Sequence, residues 1–257
     1  MMPYPAASLR KLLLPLLLLA SLTAYAAPET NAVFATRAEN EFYRTQLQLK
    51  ADPKNATNVW QFGAACFELC DFATNATHKA EIAKLGIAAC QQLVAREPKS
   101  APGHYYLAMN YGELADAEAP SIAAYKLVHD IEREFKASLA LDEKLDFAGS
   151  SRCLGLLYRD APGWPISIGS KRKAREFLER AATLAPNYPE NQLNLAESYV
   201  QWHQREEAEK ALKKLDAIWS GAQTNLTGTS WEKPWHDWTG RRAAAKAEFQ
   251  KVFKRVP

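Results

Sequence analysis

Apolar residues along the chain recur at spacings of three and four, which place them on one face of an α-helix. Four segments add a fixed order of small and aromatic side chains, each followed by a second apolar helical face. In the last of them Leu195, Ala196 and Tyr199 share a face, and Ala208, Leu212 and Leu215 follow on the next helix. The third reads Leu154, Gly155, Tyr158, then Ala174, Leu178, Ala181 and Pro186, where the proline cannot continue a helix and sets the turn into the next unit. The second reads Leu107, Ala108, Tyr111, then Ile131, Phe135, Ser138; the first reads Trp60, Ala64, Phe67, then Gly86, Cys90, Leu93, Pro98. Small residues let paired helices approach and large ones fill the gap. One such hairpin carries little information, because any buried helical face needs this spacing. Four in phase predict a repeat.

The order of residues is similar to that of the tetratricopeptide repeat, a helix pair of about 34 residues. Here the aromatic positions Phe67, Tyr111, Tyr158 and Tyr199 lie 44, 47 and 41 residues apart. Most of the excess falls between that aromatic and the first small position of the second helix, so the first three units are expected to carry extra helical turns or longer loops. The predicted fold class is all-α: a tetratricopeptide-like helical hairpin array of about four degenerate repeats with insertions, plus a C-terminal capping helix.

At 257 residues and 47% hydrophobic content the chain can bury one sizeable core, and stacked repeats form one continuous domain. Residues 1–26 read separately as a secretory signal peptide. Arg10 and Lys11 precede an apolar run from Leu12 to Leu22, and Ala24, Tyr25 and Ala26 offer a small-residue cleavage site. The run is far shorter than the roughly 20 residues that span a bilayer. Residues 27–219 are expected to form the array, and 220–257 a tryptophan-rich segment with a basic capping helix. The expected product is exported, periplasmic or secreted, and soluble after cleavage. The first cysteine is Cys66, which leaves no acyl anchor at the new N-terminus.

Loss of Arg10 and Lys11 lowers the formal charge from +3 to +1, a balance that argues against general nucleic-acid binding. Basic residues concentrate only from Arg241 to Arg255, interleaved with alanines, Phe249, Val252 and Phe253; this reads as a terminal capping helix. An even count of four cysteines permits disulfides in an oxidising compartment. Cys66 or Cys70 could bridge to Cys90 across the first hairpin, whereas a Cys66 to Cys70 bridge within one helix is strained. Burial of all four as small apolar residues is the equal alternative. The five histidines are scattered, and no metal, phosphate-loop or nucleophile motif appears, so the chain is read as non-catalytic, with no cofactor and no metal site. A dispersed enzyme site would have to draw on Arg152, Arg159, Asp160, His104 and Glu197.

In a tetratricopeptide array the first helix of each pair lines a concave face. That pattern carries onto Gln61, Ala65 and Glu68; Tyr105, Met109 and Gly112; Arg152, Leu156 and Arg159; and Leu193, Glu197 and Val200. The expected ligand or partner groove therefore comprises Tyr105, Met109, Arg152, Leu156, Arg159, Leu193 and Glu197, with Trp164 from the loop that follows Tyr158. Arg152 and Arg159 could hold one anion between them, or each could form an ordinary ion pair. Pro162, Gly163 and Pro165 fix that loop, and its Trp164, Ile166 and Ile168 need cover from the neighbouring repeat or from a ligand. A second aromatic group, Trp219, Trp231, Trp235 and Trp238, follows the last hairpin as either a lid over the array or packing beneath the final helix.

The third unit, from Ser150-Ser151-Arg152-Cys153-Leu154-Gly155 through Tyr158, Ala161-Pro162-Gly163-Trp164-Pro165 and the Lys173-Ala174-Arg175 helix, resembles the T-component family of tripartite ATP-independent periplasmic transporters. The resemblance implies an all-helical exported protein with a central cavity or pore and an oligomer in some members. It also implies partnership with a solute-binding protein that carries hydrophobic or carboxylate ligands. Two departures stand out: the family's lipid-attachment cysteine is missing, and the tryptophan-rich segment has no counterpart. Beside the transporter helper stands a general scaffold that binds a peptide segment in its concave groove.

Overall fold

The computed structural model describes residues 28–253, so the leader expected over 1–26 lies outside the described residues. Ten helices follow in order among them: α1 Pro28–Ala51, α2 Ala56–Cys70, α3 Ala76–Arg96, α4 Ala101–Glu118, α5 Ile122–Leu141, α6 Leu145–Asp160, α7 Lys171–Leu184, α8 Pro189–Gln201, α9 Arg205–Asn225 and α10 Thr229–Phe253. The four expected hairpins are α2 with α3, α4 with α5, α6 with α7 and α8 with α9. The fold is all-α, a sequence of antiparallel helical hairpins.

The small and aromatic positions do what their chemistry suggests. Ala64, Ala108, Ala196, Ala174 and Ala208 are fully buried at helix contacts. A Cβ on Gly155 would stand 2.6 Å from Leu178 Cγ, so only glycine permits this approach of α6 to α7. A Cβ on Gly86 would collide with the Asn110 side chain, which reaches from α4 to donate to Gly63 O at 2.8 Å. The extra residues of the first two units are absorbed as helix, since α3 and α5 run to 21 and 20 residues. In the third unit they form the loop between α6 and α7.

Local chemistry sets the starts. Asn55, Asn75, Ser100, Ser121 and Ser170 each accept from a backbone N–H in the first turn of α2, α3, α4, α5 and α7. Helix α6 begins unusually: Asp146, Phe147 and Ala148 have φ of 50°, 54° and 64°, a left-handed turn that costs about 1–2 kcal/mol per residue. The turn is held from outside. Phe147 stacks on Tyr188 at 4.3 Å, and the Asp146 carboxylate receives Tyr105 Oη at 2.7 Å and Arg152 Nη2 at 2.6 Å.

The main core runs from Phe42 on α1 to Phe249 on α10. A second cluster, Tyr188, Leu193, Leu215, Trp219, Trp231 and Trp238, joins α8, α9 and α10. The tryptophan-rich stretch is therefore neither a loop nor a separate lid. Trp231, Trp235 and Trp238 fall at i, i+4 and i+7 on α10 itself, and Pro234 lies inside the helix, where it forgoes the backbone bond to Ser230 O.

Candidate functional site

Helix α10 packs chiefly along α8, the first helix of the last hairpin, and beside α9. Trp238 donates its indole N–H to Glu190, and Arg241 pairs with Glu190 and with Glu197 at 2.9 Å while donating to Asn194 Oδ1 at 2.6 Å. Glu190, Asn194 and Glu197 stand at i, i+4 and i+7, so one polar stripe of α8 receives one arginine. Burial alone would raise the Glu190 pKa; the Arg241 charge, then Arg152, reverses the sign and holds it below the ordinary carboxylate value. Toward its start the same helix reaches the other end of the array. Lys233 pairs with Asp71 at 3.1 Å and lies over the Phe72 ring, Glu232 pairs with Arg37, and His236 meets the edge of Phe34 at 5.9 Å.

Packing between successive hairpins relocates the residues expected to line a groove. Tyr105, Met109 and Leu193 are fully buried, and Arg152 and Leu156 are 2% exposed. They sit inside the protein as packing. Met109 meets Cys153 Sγ at 3.8 Å. Arg152 spends its guanidinium on Asp146, on Asn191 Oδ1 at 3.1 Å and on the Asp146 and Phe147 carbonyls. Arg159 pairs with its neighbour Asp160 at 2.6 Å and donates to Ser198 Oγ at 3.1 Å. The two arginines therefore do not share an anion. Glu197 is held by Arg241, and His104 by Glu134 at 2.6 Å and Pro98 O at 3.0 Å, so the dispersed enzyme set does not converge.

Cys66, Cys70, Cys90 and Cys153 are buried free thiols rather than bridged. Burial raises Cys66 well above its usual value, the neighbouring Cys90 and Cys70 adding to it, and burial pushes Cys90 up to about 12. The thiols stay protonated and fill tight contacts, which is the alternative that their small size allowed. Among the described residues, no group of three or more His, Cys, Asp or Glu is placed to hold a metal, and no helix is long and apolar enough to cross a membrane.

Glu68, at a lining position of the first unit, is a carboxyl whose surroundings change its chemistry. Burial first, then the nearby Glu41, pushes its carboxyl up to about 8, and Lys233 of α10 only partly offsets this. Lys233 also pairs with Asp71, just beyond the end of α2.

Trp164 is placed quite differently from the rest of the set, with 89% of its surface exposed and Ile166 beside it at 69%. The loop that presents them is tied at its base: Ser170 N donates to Tyr158 O at 2.8 Å, Gly169 N to Pro162 O at 2.9 Å, and Ile166 N and Ser167 N to Gly163 O. Gly169 is required there, since a Cβ would lie 2.0 Å from Ala161 O. Below the hook opens a cleft of about 390 Å³ lined by His129 and Glu132 of α5, residues 164–169 and Lys173 of α7. Glu132 is satisfied by Tyr158 Oη and by Lys136 at 2.6 Å.

Sequence reasoning missed Glu190, Asn194 and Arg241 as a partnered set. The available signal was a polar i, i+4, i+7 stripe, Glu190, Asn194 and Glu197, beside the apolar Leu193, Leu195, Ala196, Tyr199 and Val200 of the same helix. No protein-family model and no curated protein sequence matches the chain. Among solved structures it is similar to the crystal structure of the yeast Tom70, at 11% identity and a TM-score of 0.33, covering 90% of this chain and 63% of that one.

Proposed function

We propose that this protein is a non-catalytic helical-repeat scaffold that binds other proteins through its outer surface rather than through the concave groove. The observation that carries this reading is the contrast in cover. The lining positions of α4 and α6 are packed inside and α8 is covered by α10, whereas the hook at Trp164 holds a large ring in solvent on a base tied by its own hydrogen bonds. A tryptophan exposed this far is a natural anchor, because rings of this size dominate the energetics of protein interfaces.

The finer reading, an exported helper of a periplasmic solute-binding protein, is supported by the leader-like first 26 residues and by the transporter resemblance of the third unit, the unit that carries the hook. The packed positions of Tyr105, Met109, Leu156 and Leu193 argue against a small-molecule passage through this chain alone. Native mass spectrometry of the mature protein, purified without detergent from the fraction that contains it, tests the proposal. Co-purification of a defined protein partner that is lost on Trp164→Ala supports the scaffold. A retained small hydrophobic or carboxylate ligand, or a homo-oligomer indifferent to Trp164, would replace it with the transporter-helper reading.

A further inference from the structure

The first turn of α7, Lys171, Arg172 and Lys173, contains no acidic residue. Three cations crowd the end of a helix where the backbone dipole already favours negative charge. Two of the three have rings rather than carboxylates as their close partners: Lys171 Nζ lies 5.6 Å from the centre of Trp202 and Lys173 Nζ 4.8 Å from that of Tyr158. Only Arg172 has an ion pair, a loose surface contact with Glu176 at 3.5 Å. The acidic groups nearby are shared: Glu132 bonds Lys136 and Tyr158 and also feels the Lys173 charge, and Asp160 is held by Arg159. Lys173 also lines the cleft beneath the hook, opposite Trp164, Ile166 and Ile168. Ser167 Oγ, another lining group, is buried without a hydrogen-bond partner.

We infer that the cleft between the hook and the first turn of α7 docks an acidic protein segment, with an apolar side chain seated against Trp164 and Ile166 and carboxylates facing Lys171, Arg172 and Lys173. The inference rests on the scaffold reading and gives it a partner chemistry. An acidic segment supplies cover for the exposed ring and further countercharge for a helix end whose three cations face only Glu176 and, shared with Lys136, Glu132. The concave shape favours a segment over an anionic bilayer: side chains can enter a cleft, whereas a lipid surface would meet only the tip of the hook and would bring its charge no closer to Lys173.

The test is to pan phage-displayed random 16-residue peptides against the full chain and to remeasure the enriched peptides by fluorescence anisotropy. The Trp164→Ala protein and a K171E/R172E/K173E protein, each checked for unchanged helicity, serve as comparisons. The expected peptides combine clustered Asp or Glu with an aliphatic or aromatic residue. They should bind on the order of tenfold more weakly to either variant, and more weakly again as salt rises. Peptides that depend on Trp164 but are neutral or basic would overturn the acidic assignment and leave the scaffold standing. Acidic peptides indifferent to Trp164 would remove the hook as their site. Failure to enrich any peptide, with Trp164-dependent sedimentation on phosphatidylglycerol vesicles instead, would overturn both readings in favour of a membrane surface.

Discussion

Two tryptophans that look alike in sequence end in opposite environments. Trp164 and Trp238 both belong to aromatic stretches interrupted by proline, and each brings an area of ring that water disfavours. Trp238 is 2% exposed, wedged against Tyr188, Trp231 and Trp235 with its N–H on Glu190; Trp164 is 89% exposed at the tip of a tied loop. The difference is one of scaffold. Trp238 sits on a helix long enough to align Trp231, Trp235, Arg241, Ala245 and Phe249 toward one side, so one docking event buries them together. The hook spans only the residues between α6 and α7, and its base spends its hydrogen bonds on itself. It has no second row of apolar residues with which to bury its own tip.

The sharpest way to break this contrast is Trp238→Ala, which empties the centre of the aromatic cluster and removes a donor from buried Glu190. Urea denaturation should register a loss of about 3–5 kcal/mol. A loss under 1 kcal/mol would mean that α10 is not anchored by this ring.

Arg241→Leu should cost slightly less, roughly 3 kcal/mol, because it leaves Glu190 buried without its principal partner. Its pH dependence has a definite sign. Glu190 is held below its ordinary value in the folded state, so its contribution is present above the unfolded carboxylate pKa and is lost as pH falls through the folded one. The variant should therefore show a smaller loss of stability on the acid side than the wild type. Pairing it with Glu190→Gln should recover part of the deficit, as removal of both charges does at other buried pairs.

Glu68→Gln tests the far contact of α10. With its pKa raised to about 8, chiefly by burial and then by Glu41, Glu68 binds more protons folded than unfolded between the ordinary glutamate value and about 8, so stability falls as pH rises through that window. The amide should abolish that slope and stabilise the protein by roughly 1–2 kcal/mol above it, a figure reduced for the partial exposure of the side chain. A pH-independent difference between the two proteins would exclude a neutral Glu68 at mild pH.

Trp164→Ala should have the smallest effect on the fold, within about 0.5 kcal/mol of the wild type by thermal denaturation, because an exposed ring gives up little on truncation. Unfolding of the third hairpin in this variant would make the loop a structural element and return it to the same class as α10.

The hairpins were legible because helix pairing is a local problem. Ala64, Ala108, Gly155 and Ala196 must be small wherever two backbones come close, and Pro98 and Pro186 end what precedes them, so periodicity and punctuation place all four pairs. The predicted groove was legible only as a set of positions on the first helices. Tyr105, Met109, Leu156 and Leu193 occupy those positions, but whether a face is open or packed depends on what lies against it, and no residue in α4 encodes the arrival of Phe135, Asp146 and Cys153, nor any in α8 that of α10. Arg241 illustrates the same limit, since its basic neighbours read as a solvated outer surface until Glu190 and Glu197, some fifty residues earlier, are brought beneath it. The left-handed turn at Asp146, Phe147 and Ala148 was invisible for a related reason: none is glycine, and only distant partners, Tyr105, Arg152 and Tyr188, hold the conformation in place. The sequence by itself determined the helix pairs, through steric fit between neighbours in the chain. The tertiary structure alone decided which surface remained for a partner, because exposure is settled by contacts between segments that the sequence keeps far apart.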